Sequence, residues 1–322
     1  MNGAQDAIKM NGAQDATTLH IHCHALTELP ESLGQAAVTT LDISECSALT
    51  CLPESLGQLV NLTALNLSWC RALTGLPESL GQLAALKTLN VGWCRALTGL
   101  PESLGHLTAL TTLDLCWCSI LRRLPESLGQ LTALTTLNLR WCCEVTGLPE
   151  SLGQLAALTT LDLGWCHALT RLPESLGQLA ALTTLDLGWC HALTRLPDSL
   201  GQMAALTTLN LGWCHALTRL PESLGQLAAL TTLILNRCYL LTRLHESLGA
   251  LTHLDLQVYY CHALHFPPAF IAQQGASAVM EFLLARHHPL KILLLILAAR
   301  RRRMRHPPAE LWSLLHDEFI YF

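Results

Sequence analysis

The densest set of chemically capable side chains in the sequence is His20-Ile21-His22-Cys23-His24. Imidazole nitrogen and thiolate sulfur are favoured ligands of zinc and its neighbours, so metal binding is the first chemistry to weigh. Alternation along an extended chain puts His20 and His22 on one face. Cys23 belongs instead to a periodic set of core cysteines, so the segment is expected to be an exposed first strand without a metal. Cys116 with Cys118, and the adjacent Cys142 and Cys143, could oxidise, but one Cys-X-Cys outside a thioredoxin-like setting is a weak signal. No glycine-rich phosphate loop, His-Glu-X-X-His or Gly-X-Ser-X-Gly is present. The chain is therefore expected to have no catalytic residue and no cofactor, and not to be an enzyme.

The remaining candidates come in columns. Leu-Pro-Glu-Ser-Leu-Gly recurs with its proline at Pro53, Pro77, Pro101, Pro125 and Pro149, a step of 24 residues, and the pattern continues through Pro221. One unit, read from Leu158, is LTTLDLGWCHALTRLPESLGQLAA, and 11 such units run from about Thr17 to Pro267. The ninth slot is cysteine in every unit, from Cys23 to Cys261, which accounts for 11 of the 14 cysteines. Stacked units offer one thiol each, so the column is read as small buried side chains filling space with little polar commitment. The fifth slot carries Asp114, Asn138, Asp162, Asp186 and Asn210 in the middle units. Paired acids can do acid-base work only if their environments separate their pKa values, and identical units supply identical environments. The eighth slot is tryptophan in seven consecutive units: Trp69, Trp93, Trp117, Trp141, Trp165, Trp189 and Trp213.

These columns need an element that repeats in register. Thr-Leu-Asp-Leu alternates apolar and polar side chains with period two and reads as a short strand. Pro-Glu-Ser-Leu-Gly reads as a short helical segment, begun by proline and an acid and ended by glycine. One unit cannot bury its leucines alone, whereas stacked neighbours can. Strands then lie about 4.8 Å apart, so the tryptophans form an aromatic row beside the Asp/Asn row. That row either stabilises the array by stacking or binds a partner, since tryptophan is enriched at binding hot spots; the two are compatible. Histidines and arginines at slot ten, and Arg123, Arg171, Arg195, Arg219 and Arg243 at slot fourteen with acids three residues on, are expected to form solvated rim ion pairs. Departures from the repeat, Arg140 and Cys143 in unit six and Arg237 and Tyr239 in unit ten, mark where a partner could be read specifically.

The step LxxLxLxxCxxLTxLPxxLGxL resembles leucine-rich repeats, specifically the LP-type repeats of plant intracellular Ras-group-related and disease-resistance proteins, over about 250 residues. The resemblance implies an α/β fold, a right-handed horseshoe with parallel strands on the concave face and short helices outside. FPPAFIAQQGASAVMEFLLA resembles the closing segment of such arrays, which implies a small helical C-terminal cap. The expected organisation is a tail over 1–16, the solenoid over 17–267, and the cap with a basic tail over 268–322.

Composition agrees with this organisation and removes other classes. The chain of 322 residues is 51% hydrophobic and 13% charged with a net charge of −5, the reverse of a disordered segment. Its longest greasy run, Ile292–Ala299, falls short of the roughly 18 residues a membrane helix needs. Met1–Ala16 lacks the apolar core of a secretory signal, which points to the cytoplasm or nucleus and makes the acceptor-like Asn61-Leu62-Thr63 and Asn66-Leu67-Ser68 coincidental. Arg300, Arg301, Arg302, Arg303 and Arg305 are read first as a solvated helix end, with nucleic acid or acidic lipid as the alternative. The final HPPAELWSLLHDEFIYF is similar to the opening helix of an F-box. The expected function is a scaffold that binds a protein partner through its concave face and tryptophan row. The alternatives are a substrate receptor of a ubiquitin ligase and an innate-immune or signalling ligand sensor.

Overall fold

The computed structural model describes residues 17–268, 271 and 274–287. The tail over 1–16, the greasy run, the arginine cluster and the F-box-like end lie outside the described residues. Eleven parallel strands form one sheet in strict sequence order. They are three residues each, from β1 (Thr18–His20) through β7 (Thr160–Asp162) to β11 (Asp255–Gln257). The pairing register joins identical slots, for example Thr160 with Thr184 and Asp162 with Asp186. The middle residue of every strand is a buried leucine and its neighbours face outward. The period-two pattern therefore sets the orientation of the sheet.

Leucines of slots one, four, six, twelve, nineteen and twenty-two, such as Leu158, Leu161, Leu163, Leu169, Leu176 and Leu179, are fully buried in one continuous core with the cysteine column. Threonines tie units together across the sheet margin, as in the Thr159 hydroxyl donating to the Thr135 carbonyl at 3.0 Å.

The Pro-Glu-Ser-Leu-Gly segment forms five-residue 3-10 turns, such as Glu126–Gln130. Their bonds close over three residues, Leu128 N–H to Pro125 O and Leu131 N–H to Leu128 O, both at 3.1 Å. A segment this short holds only the tighter helix. The glycine does not terminate the turn. It lies inside it because the turns stack closely, and a Cβ at Gly129 would overlap the carbonyl oxygen of Ser151 in the next unit. The same overlap recurs from Gly34 to Gly225.

At the end of the stack the helix α1 (Ala276–His287) replaces the next turn. Val279 and Leu283 of α1 are fully buried against the core, and a Cβ on Gly249 would overlap the carbonyl oxygen of Leu283. Arg286 reaches Glu246 at 3.5 Å, and Phe266 packs edge-on against Phe282. The small cap thus satisfies the last unit's apolar face.

Two glycines separate packing from backbone freedom. Gly129→Ala should destabilise by about 1–3 kcal/mol through overpacking. Gly147→Ala, with no atom within 4 Å of the added Cβ, should lie within about 1 kcal/mol of wild type. Urea unfolding of the two variants beside the parent checks this.

Candidate functional site

The second to ninth strands end by a side-chain device at slot five. Asp162 Oδ1 accepts the backbone N–H of Gly164 at 2.8 Å, and Asn138 Oδ1 accepts that of Arg140 at 3.0 Å. Asp114, Asp186 and Asn210 do the same for Cys116, Gly188 and Gly212. Asp and Asn suit this position because their short side chains bond the backbone two residues on. The column is therefore a turn former as well as an outward polar row. It is also cross-linked, with Asn210 Nδ2 donating to Asp186 Oδ1 at 2.9 Å.

The turn delivers slot eight in the left-handed region. Trp69 to Trp213 all have φ between 62 and 65°, as does Arg237 at 62°. A bulky residue there is an outlier that costs about 1–2 kcal/mol. Pattern reading misses this, since asparagine or glycine is the usual signal. The six adjacent ring pairs stack with centroids 3.9–4.3 Å apart and planes within 15°. Each ring is half-buried, so the row is one continuous aromatic edge. Stacking with the copies above and below offsets the backbone penalty.

The row is finished by cations. Arg71 and Arg95 lie 5.0 Å from the centroids of Trp69 and Trp93. Arg237 sits 4.1 Å from the Trp213 ring and 5.1 Å from that of Tyr260, continuing the column where tryptophan stops. Tyr259 and Tyr260 beyond it are 54% and 63% exposed, leaving an open aromatic end. Arg140 behaves differently. It occupies slot seven, where neighbours are small, and its Nη1 lies 3.7 Å from Oδ2 of both Asp162 and Asp186. Burial pushes the Asp162 pKa up, with Asp186 adding to it and Arg140 opposing. In unit two, burial also raises Asp42, but Ser44 hydrogen bonds and the nearby His22 outweigh it and leave the pKa lowered.

A second column runs beside the tryptophans. His167, His191 and His215 stack at 4.7 and 4.4 Å, followed by Tyr239 at 4.7 Å and His262 at 5.7 Å. The Nε2 atoms of the three histidines are buried without a protein partner. The sequence marks these positions only as rim charges. The arginines of slot fourteen make no ion pair within 4.0 Å among the described residues, with Arg243 instead over the Phe266 ring at 4.9 Å. Their expected acid partners go elsewhere: Glu126 Oε2 accepts the Ser151 N–H of the next turn at 3.3 Å, Glu222 lies 3.6 Å from His245, and Glu246 pairs with Arg286.

The cysteine column is more polar than the sequence suggests. Each thiol from Cys46 onward donates to a carbonyl of the preceding unit, as Cys166 does to Leu139 at 3.2 Å and Cys190 to Leu163 at 3.2 Å. Burial pushes the column thiols from Cys46 to Cys261 up, Cys70 and Cys214 to about 12, so none of these is a ready nucleophile. Cys51 is exposed. Thiol reagents should label Cys51 first and the buried column from Cys46 to Cys238 only on unfolding, as a time course read by mass spectrometry would show.

Comparison with known proteins agrees with the geometry. A family model described as leucine-rich repeat region matches residues 80–189, and a leucine rich repeat model matches residues 61–83. The leucine-rich repeat domain of the type III effector XCV3220 (XopL) is 28% identical, with 72% of this chain and 79% of that chain covered and a TM-score of 0.63. The functional domain of InlJ from Listeria monocytogenes, which includes a cysteine ladder, is 24% identical over 77% of this chain and 54% of that one, with a TM-score of 0.51. Toll–Spatzle from Drosophila gives 23% identity, 76% and 36% coverage and a TM-score of 0.54. No curated protein matches the sequence. Fold and columns define a solenoid of stacked strand-and-turn units. The chain is a leucine-rich repeat protein. Such folds are typical protein-interaction scaffolds and are generally non-enzymatic. No helix of the described residues is long and apolar enough to cross a membrane.

The histidine column carries a pH prediction. Burial lowers the pKa of His167, His191 and His215 below 6.5, and His191 is lowered further by its two histidine neighbours. The unfolded chain therefore takes up protons first as pH falls. Their contribution to stability is whole above about pH 6.5 and is lost as pH falls through the lower folded values. The shifts of Asp42 and Asp162 act at lower pH, in the carboxylate range. Tm should fall between about pH 7.5 and about pH 5.5, and replacing all three histidines with asparagine should flatten that fall. An unchanged slope in the triple variant would contradict the assignment.

Proposed function

We propose that the protein is a non-enzymatic scaffold that holds a protein partner along the strand face and the tryptophan row. The observation that carries this reading is the row itself: seven half-buried rings in register at 3.9–4.3 Å, open at one end toward Tyr259 and Tyr260. Edges of indole rings combine apolar area with an N–H donor, the combination enriched at hot spots. The Asp114, Asn138, Asp162, Asp186 and Asn210 row beside it supplies hydrogen-bond acceptors. Arg140, between Asp162 and Asp186, and Arg237, at the end of the ring stack, break the monotony and give a partner a register to read. A cytoplasmic signalling setting fits this reading. The narrower alternatives are a ubiquitin-ligase substrate receptor and a ligand sensor.

The test compares wild type with a Trp117/Trp141/Trp165→Asn variant. Asparagine keeps the left-handed backbone accessible while removing the rings. Affinity capture followed by quantitative mass spectrometry, with Tm measured alongside, should show a folded variant whose specific partners are lost by about tenfold or more. Arg171→Ala on the turn side should recover the same partners as wild type. If the folded tryptophan variant recovers those partners unchanged, the row is structural and the proposed surface is wrong. Retention of a peptide or glycan in place of a protein would select the sensor reading.

A further inference from the structure

The histidine-rich start of the repeat gains a third group that its linear sequence does not contain. β1 pairs with β2 (Thr40–Asp42) so that His20 is aligned with Asp42. Asp42 Oδ2 lies 3.4 Å from His20 Nδ1 and 3.9 Å from His22 Nε2. The two rings face each other at 5.9 Å, 20° from parallel. One ligand atom from each of the three residues falls within 4.8 Å of the others. We propose that His20, His22 and Asp42 form a binding site for a divalent late first-row transition ion, with zinc as its reference occupant.

The site is oriented by its neighbours in the way metal sites are. The His22 Nδ1–H donates to the Ser44 carbonyl at 3.1 Å, so Nε2, which is turned to Asp42, is the nitrogen available to a metal. Asp42 Oδ1 is held by the Ser44 N–H and by Asn66 Nδ2, both at 3.0 Å. Its Oδ2 is thereby the oxygen presented to the imidazoles. His24 is not part of this cluster of ligand atoms; its Nδ1 is bonded to the Glu45 carbonyl at 2.7 Å. Two imidazoles and one carboxylate suit zinc, copper or nickel better than calcium or magnesium. Bonds of ~2.1 Å in a tetrahedron separate ligand atoms by about 3.4 Å. The His20–Asp42 spacing already meets that, His22 must come roughly 0.5 Å closer to Asp42, and the two imidazole nitrogens, within 4.8 Å of each other, must close toward the same spacing. His20 and His22 are 49% and 48% exposed, so an ion can enter and water can fill the remaining position.

The repeat shows the set to be local to the first unit. Slots five and seven carry Asp or Asn with a small residue through most of the array; aligned by strand pairing, the first unit being one residue shorter before its cysteine, two imidazoles occupy both slots there alone. An ion there would fasten β1 to β2 at the edge of the described sheet. The repeat also supplies substitutions compatible with the fold, since asparagine stands at slot five in Asn66 and Asn90 and serine at slot seven in Ser44 and Ser68.

The full chain without an affinity tag, titrated with zinc chloride by calorimetry, should bind one ion at this site and gain Tm with zinc concentration. His20→Asn, His22→Ser and Asp42→Asn should each weaken that binding by at least about tenfold and abolish the Tm gain. His24→Asn should leave both unchanged. In the wild type, zinc should perturb the imidazole nitrogen resonances of His20 and His22 ahead of all others, a readout that holds even if a variant folds poorly. No zinc uptake by the wild type up to about millimolar concentration would overturn the site. Uptake unaltered in a folded His20→Asn/His22→Ser variant, or perturbation centred on other histidines, would do the same.

Discussion

In this molecule the main neighbour of each residue is its own copy one unit away. Strands separated by one hydrogen-bonded step pair Thr with Thr, Leu with Leu and Asp with Asp or Asn. A side chain is therefore selected for how it packs against itself at that spacing. Leucine and cysteine satisfy the condition by interlocking in the core, threonine by passing a hydroxyl to the next carbonyl. Tryptophan and histidine satisfy it by stacking. The glycine of the turn satisfies it by having no side chain at all. Because contacts reach only to the next unit, stability accumulates along the stack as a sum of nearest-neighbour terms.

The same condition explains which positions were legible from the amino-acid sequence. The 24-residue step, the buried leucines and the strands follow from apolar periodicity, and the fold follows with them. The left-handed backbone at Trp69–Trp213 was not legible, because stacking with copies supplies an energy that intrinsic preference does not contain. The acids were misassigned to rim ion pairs for a related reason. Within one unit Glu126 is close in sequence to Arg123, whereas its hydrogen bond goes to Ser151 in the next unit. Asp42 was invisible beside His20 and His22 because strand pairing, not chain proximity, brings it there. Sequence distance misleads wherever the partner lies one full unit away.

Exceptions to self-stacking are where the surface acquires direction. Arg140 spans Asp162 and Asp186, breaking a row that would otherwise be uniform from Asp114 to Asn210. Arg237 closes the indole stack with its guanidinium and hands the column to Tyr260. At the opposite end the first unit carries His20 and His22, and the second carries Glu45 in the slot where the indoles stand. A uniform ledge offers a partner area without register; these breaks supply the register.

The most direct test of self-stacking is a pair of double-mutant cycles on equilibrium unfolding. Trp→Asn at Trp141 and Trp165, which stack at 3.9 Å, should show a coupling of about 0.5–1.5 kcal/mol. The same substitution at Trp141 and Trp213, three units apart, should show none. Equal coupling in both cycles, or none in the adjacent pair, would contradict an array held together by contacts between copies.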